Sequence, residues 1–134
     1  MNYWLVKSDP ETYSWHDLLK DGKTSWDGVR NYAARIHLKG MKKGDKVLVY
    51  HSGNESSVIG IASVSKEFYQ DPTTSDIAWV SVELKAEKPL AKVVTLKQIK
   101  GEKSLSNIGL VKIGRLSVMP LTKEEFDTIL SIAK

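Results

Sequence analysis

Four consecutive large apolar residues, Val47, Leu48, Val49 and Tyr50, constrain the fold more than any other feature of the sequence. Successive side chains of a strand point to opposite faces, so an unbroken apolar run belongs to a strand buried on both sides. The turn-like residues at 41–45 and 52–55 bound it, which places a strand over 46–51 with a hairpin-like connection after it. The next strand spans 57–64. Gly60 inside it signals a bulge or the close approach of another group. After a loop at 71–76, residues 79–87 alternate. Val80, Val82, Leu84 and Ala86 take the core side, and Trp79 falls on the opposite face with Ser81, Glu83 and Lys85.

The remaining elements are short. A strand over 3–7 ends at Ser8-Asp9-Pro10. Ser14 and Asp17 have the spacing of a capping box, opening a helix with Leu18 and Leu19 on its apolar face and an end near Asp21-Gly22. A second helix runs over 31–38 and stops at Gly40, with apolar content from Ala33, Ala34, Ile36 and Leu38. Thr95 caps a helix over 96–100. Residues 102–114 read as loop with an apolar patch at 108–111, and 115–119 as a last strand ended by Pro120. Thr122 and Glu125 form a second capping box, before a helix that buries Phe126, Ile129, Leu130, Ile132 and Ala133. The chain of 134 residues suits one domain over 1–134. The class is α+β: a small, mostly antiparallel β core with short helices, its strands connected in the manner of a partly closed barrel.

Several functions are disfavoured. There is no cysteine, and His16, His37 and His51 lack the i, i+4 spacing of a zinc helix, so no metal is expected. His51 and Ser52 are adjacent on a strand and point apart, so they do not form a catalytic pair. The glycines follow neither nucleotide-loop pattern, so no cofactor is indicated. The N-terminal MNYWLVKSDP lacks the regions of a secretory leader, and no apolar run approaches the roughly 20 residues of a membrane span. A cytoplasmic, monomeric protein is expected. Lys plus Arg is 20 against 16 for Asp plus Glu, and the net charge of +4 permits a nucleic-acid partner.

Four segments place polar or aromatic chemistry at strand ends or loops: Lys7-Ser8-Asp9-Pro10, Trp26 through Asn31, Tyr50-His51-Ser52, and Gly114-Arg115-Leu116-Ser117. Trp26 is the most unusual, because it precedes Asp27-Gly28, a pair that marks a turn. The stretches YWLVKSDPETYSWHDL, WDGVRNYAARIHLKGMKKGDKVLVYHS and GRLSVMPLTKEEFDTIL resemble the EVE domain family of the PUA-like superfamily, related to the YTH readers of methylated adenine. Asp9 stands where the family usually has Glu, and Ala33 where a Gln is common.

The resemblance implies a PUA-like, mixed, mostly antiparallel β-barrel surrounded by short α-helices. It also implies a non-enzymatic reader. A methylated or hydroxymethylated cytosine or adenine of DNA or RNA would be flipped into an aromatic-walled pocket. Trp26 would form a wall, set on the Gly28 turn. Asn31 and Ser8 would bond the base edge or its sugar. Val29, His51, Ser52 and Leu116 would line the cavity beside Ser117, and Lys7, Arg30 and Arg115 would meet phosphate or a base oxygen. The alternative is a hydrolase of modified nucleosides using Lys7, Ser8 and Glu11 or Asp9, by analogy with PUA-like relatives of the ASCH group.

Overall fold

The computed structural model describes residues 1–53 and 56–134. The elements in chain order are β1 (Tyr3–Ser8), α1 (Trp15–Asp21), β2 (Lys23–Trp26), α2 (Tyr32–Gly40), β3 (Lys46–His51), β4 (Ser57–Gln70), β5 (Val80–Thr95), α3 (Leu96–Gly101), α4 (Gly109–Lys112), β6 (Val118–Leu121) and α5 (Lys123–Ile132). A single 3-10 turn, Lys103–Leu105, lies between α3 and α4.

The strands form one six-stranded sheet in the order β2-β5-β4-β3-β1-β6. Among the described residues only the β1–β3 pair is parallel; the other neighbours are antiparallel. Val47, Leu48, Val49 and Tyr50 are all buried, as an unbroken apolar strand between two neighbours requires. The turn into β3 is closed by buried Asp45. Its carboxylate accepts from the Trp4 indole at 2.9 Å, the Asn2 amide at 3.0 Å and the Lys42 amide at 2.9 Å. A carboxylate without such partners would be costly inside the fold.

Both expected capping boxes are present, at Ser14/Asp17 and Thr122/Glu125, and a third occurs at Thr95/Gln98. Asn31 caps α2 by accepting from the Ala34 amide at 2.9 Å. Gly60 lies where the β3–β4 and β4–β5 registers shift. A Cβ added there would come within 2.5 Å of the Trp15 ring, so the close approach is by a side chain of α1.

Several expectations are corrected. Trp26 is not on a turn: it is the last residue of β2, which pairs with β5 and was not foreseen. The strands expected over 57–64 and 79–87 extend as β4 and β5 to Gln70 and Thr95. The supposed loop at 102–114 contains the 3-10 turn and α4, whose apolar residues Leu105, Ile108 and Leu110 are buried. Arg115, Leu116 and Ser117 precede the last strand rather than opening it, and Pro120 sits inside β6. Pro120 is tolerated there because β6 is an edge strand, where a missing N–H can face away from the ladder. Leu19 and Ile36 are exposed; α1 buries Trp15 and Leu18, and α2 buries Ala34 and Leu38. Part of the connection expected at 52–55 lies outside the described residues.

The sheet is open. Among the described residues β2 and β6 remain its two edges and are not paired with each other, so hydrogen bonding does not complete a barrel. It is nonetheless strongly irregular: the β4–β5 ladder shifts register at four places. Bulges of this kind bend strands and increase their twist.

Candidate functional site

The bend brings together residues that the strand order separates. Lys7, Ser8 and Asp9 at the end of β1 line one cleft with Thr24, Ser25, Trp26 and Asp27 of β2 and its exit. Thr12 and Tyr13 of the β1–α1 connection complete it. Three strands lie between β1 and β2 in the sheet, so only a coiled sheet makes this encounter. The cleft has a volume of about 390 Å³, within the size range of small-molecule sites. Trp26 is buried, and Tyr13 meets it edge-on, with ring centroids 6.3 Å apart and planes at 85°.

The polar groups of the cleft are held in place. The Lys7 ammonium donates to the Gly114 carbonyl at 2.9 Å and lies 6.0 Å from the centre of the Tyr50 ring. Burial lowers its pKa. The Ser8 hydroxyl donates to the Tyr13 carbonyl, and the Ser8 carbonyl accepts from the Ser52 amide at 3.0 Å. The Tyr13 hydroxyl donates to Asp21 at 2.7 Å, and Ser25 is bonded to the Tyr69 hydroxyl at 2.7 Å. Asp27 is raised in pKa by burial first and then by the nearby Asp71 charge, with Arg30 partly offsetting both. The site therefore offers a cation, two carboxylates and several hydroxyls around an aromatic wall.

The stretch after Trp26 faces a different partner. Asp71 is fully buried and accepts from the Gly28 amide at 2.8 Å and from Arg30 at 2.9 Å. Thr73 donates to it from both its amide, at 2.7 Å, and its hydroxyl, at 2.6 Å. Burial alone would raise the Asp71 pKa, but these bonds outweigh it and hold the carboxyl well below the usual carboxylate range. Gly28 adopts φ 76°, a left-handed value that favours glycine and turns its N–H toward Asp71. Arg30 also donates to the Thr73 hydroxyl at 3.1 Å. Val29 is buried in the core.

The twelve residues singled out in the sequence thus divide. Lys7, Ser8 and Trp26 share the cleft. His51 and Ser52 line a neighbouring cavity of about 520 Å³ with Glu11, and Asp9 borders both. The His51 Nε2 accepts from the Trp15 amide at 2.9 Å, which requires the neutral ring with its proton on Nδ1, and burial lowers its pKa. Leu116 is buried and lines a third, mostly apolar cavity near α4. Ser117 accepts from the Lys7 amide through its carbonyl at 2.8 Å, and Arg115 is exposed. Gly28, Arg30 and Asn31 serve the Asp71 clamp and the α2 cap, and none of them lines the cleft. Tyr13, Thr12, Thr24, Ser25 and Asp27 were not singled out. The four-residue β2 carries too little alternation to announce Thr24 and Ser25. The Ser8 hydroxyl donates to a main-chain carbonyl, which leaves its oxygen able to accept, and adjacent Lys7 occupies the opposite strand face.

These features define a coiled mixed sheet with an aromatic and polar cleft at one end, and comparison with known proteins places the fold. Residues 2–132 match the EVE domain, and the chain belongs to that family. It is 34 % identical to mouse thymocyte nuclear protein 1 over 98 % of this chain and 73 % of that protein. Its structure is similar to that of the human THYN1 protein in complex with 5-methylcytosine containing DNA. There the TM-score is 0.94 at 31 % identity, over 100 % of this chain and 98 % of that one. The YTH domain of Zygosaccharomyces rouxii MRB1 protein, in complex with N6-methyladenosine RNA, shares the fold at TM-score 0.64 and 14 % identity. That match covers 99 % of this chain and 86 % of the YTH chain. Among the described residues no helix is long and apolar enough to cross a membrane.

Proposed function

We propose that the protein reads a modified base in nucleic acid, and that the base enters the cleft between Lys7–Asp9 and Thr24–Asp27. The observation that carries this reading is the meeting of Trp26 and Tyr13 with Lys7, Ser8, Asp9 and Asp27 around one small cavity. The similarity to a human relative solved with 5-methylcytosine containing DNA supports it. On this reading the coiled sheet acts as a PUA-like barrel with the cleft at its mouth.

The chemistry suits a base. An unstacked base offers a π-face, and one aromatic contact contributes about 1–3 kcal/mol. Its edge carries both donors and acceptors. Asp9 or Asp27 can accept from an exocyclic amine, as carboxylates do from cytosine N4, and Lys7 can donate to a base carbonyl. A methyl group adds only about 0.8 kcal/mol of burial, so discrimination rests on shape and on polar groups left unpaired by the wrong base. A base drawn from a duplex must be flipped out at a cost of a few kcal/mol, which cationic contacts to the backbone help offset.

The test is a titration of the wild type, Trp26→Phe and Trp26→Ala against oligonucleotides carrying methylated or hydroxymethylated cytosine or methylated adenine, with unmodified controls. Near-UV circular dichroism confirms folding of each variant. The expected result is tighter binding of one modified probe, largely retained by Trp26→Phe and lost by at least fivefold in Trp26→Ala. A folded Trp26→Ala that binds every probe like the wild type contradicts the proposal.

A further inference from the structure

Outside the cleft, one exposed surface combines aromatic rings with cations. Tyr32, Arg35, Ile36 and Lys39 of α2 have i, i+3, i+4, i+7 spacing and form one stripe on the helix, opposite buried Ala34 and Leu38. Tyr32 is 65 % exposed and Ile36 63 %. The Tyr32 and Trp79 rings lie 5.1 Å apart at a tilt of 33°. The Arg35 guanidinium sits 5.1 Å from the Tyr32 ring centre and 5.9 Å from that of Trp79, and Arg30 lies 5.5 Å from Trp79. At the far end Lys39 lies 5.6 Å from the exposed ring of Phe68. Trp79 immediately precedes β5, where its amide donates to the Asp76 carbonyl at 3.2 Å and its carbonyl accepts from the Asp71 amide at 3.0 Å.

The charge on this surface is only partly balanced. Arg30 is neutralised by Asp71. Arg35 donates to the Ala78 carbonyl at 3.0 Å, and no carboxylate among the described residues forms a salt bridge with it. Its buried Nε has no hydrogen-bond partner. A partner for such a surface must carry negative charge and a flat face. A folded acidic protein supplies the first; a single strand of nucleic acid supplies both at each residue. Arg30, which lies against Trp79, is four residues after Trp26, which bounds their Cα atoms to about 14 Å, or roughly four stacked nucleotides along one strand.

We propose that Tyr32, Arg35 and Trp79 form a stacking shelf for an unpaired base flanking the one in the cleft, with Arg35 and Lys39 meeting the adjoining phosphates. This inference rests on the nucleic-acid reading above and adds a second contact that does not depend on the modification. The shelf contributes affinity and the cleft contributes selectivity.

Fluorescence anisotropy with a single-stranded 12-mer containing one 5-methylcytosine, and with its unmodified counterpart, separates the two. Tyr32→Ala, Arg35→Gln and Arg35→Lys are measured beside the wild type, with thermal melts to confirm folding. Tyr32→Ala is expected to weaken both probes by the same factor, about fivefold or more. Arg35→Gln is expected to weaken both and to reduce the slope of log affinity against log salt by about 0.7, whereas Arg35→Lys keeps the slope and loses stacking affinity. Folded variants that bind both probes like the wild type overturn the shelf, and any methyl preference left intact leaves the cleft standing. Equal weakening without any methyl preference supports the shelf and counts against the cleft as a reader of this modification. A wild type that binds neither strand overturns the shelf outright.

Discussion

Asp71 shows how one buried carboxylate shapes the surroundings of the cleft. It gathers Gly28, Arg30 and Thr73, so it anchors the chain that leaves Trp26. Asp71→Ala is expected to lower stability by about 2–4 kcal/mol, because it strands buried donors, and urea unfolding measures this. The folded pKa lies below the ordinary 3.8, so the stabilisation is complete above that pH and fades as pH falls below it. His51 titrates in a higher window. Its folded pKa lies below the ordinary 6.5, so its contribution is complete above 6.5 and is lost as pH falls. Thermal melts between pH 8 and 5 should show this loss, and it should be smaller in His51→Gln, whose amide oxygen can still accept from the Trp15 amide. A variant with the wild-type pH profile would contradict that role. Neither carboxylate nor imidazole could be assigned its partner from the sequence: Asp71 is 43 residues from Gly28, and His51 is 36 from Trp15.

Helices proved legible where a local rule operates. Ser14, Thr95 and Thr122 each announce a helix through a side-chain cap, and each helix begins there. Strands were harder to bound because their ends depend on distant partners. β2 exists only because β5 extends alongside it, and residues 88–95 continue β5 through Pro89 because β4 accepts them with a shifted register. Gly60 was visible as an irregularity, but its reason, the Trp15 ring, lies on another element. Gly60→Ala is therefore expected to destabilise the protein by about 1–3 kcal/mol through displacement of Trp15, read from the midpoint of thermal unfolding. An unchanged midpoint would mean that α1 shifts freely on the sheet. Gly101→Ala, where an added Cβ meets nothing within 4 Å, provides the control.

At the scale of the whole molecule, the coil of the sheet is the feature that makes a site. It brings the end of β1 to β2 across three intervening strands, and that proximity cannot be read from local sequence patterns. The family resemblance pointed to Lys7, Ser8 and Trp26, which do meet. It also grouped them with Arg30, Asn31 and Leu116, which the fold assigns to a clamp, a helix cap and another cavity. Outside the cleft, Tyr32, Arg35 and Trp79 gather at α2 into a cluster of aromatic rings and a cation. The central claim concerns location: the modified base occupies the Lys7–Trp26 cleft. Nitrogen–proton correlation spectra recorded with a modified and an unmodified oligonucleotide test it most directly. The account predicts that the differences between the two titrations concentrate at residues 7–9, 12–13 and 24–27 and at the Trp26 indole. Differences concentrated instead around Ile108, Leu116 and Leu121, in the apolar cavity near α4, would contradict it.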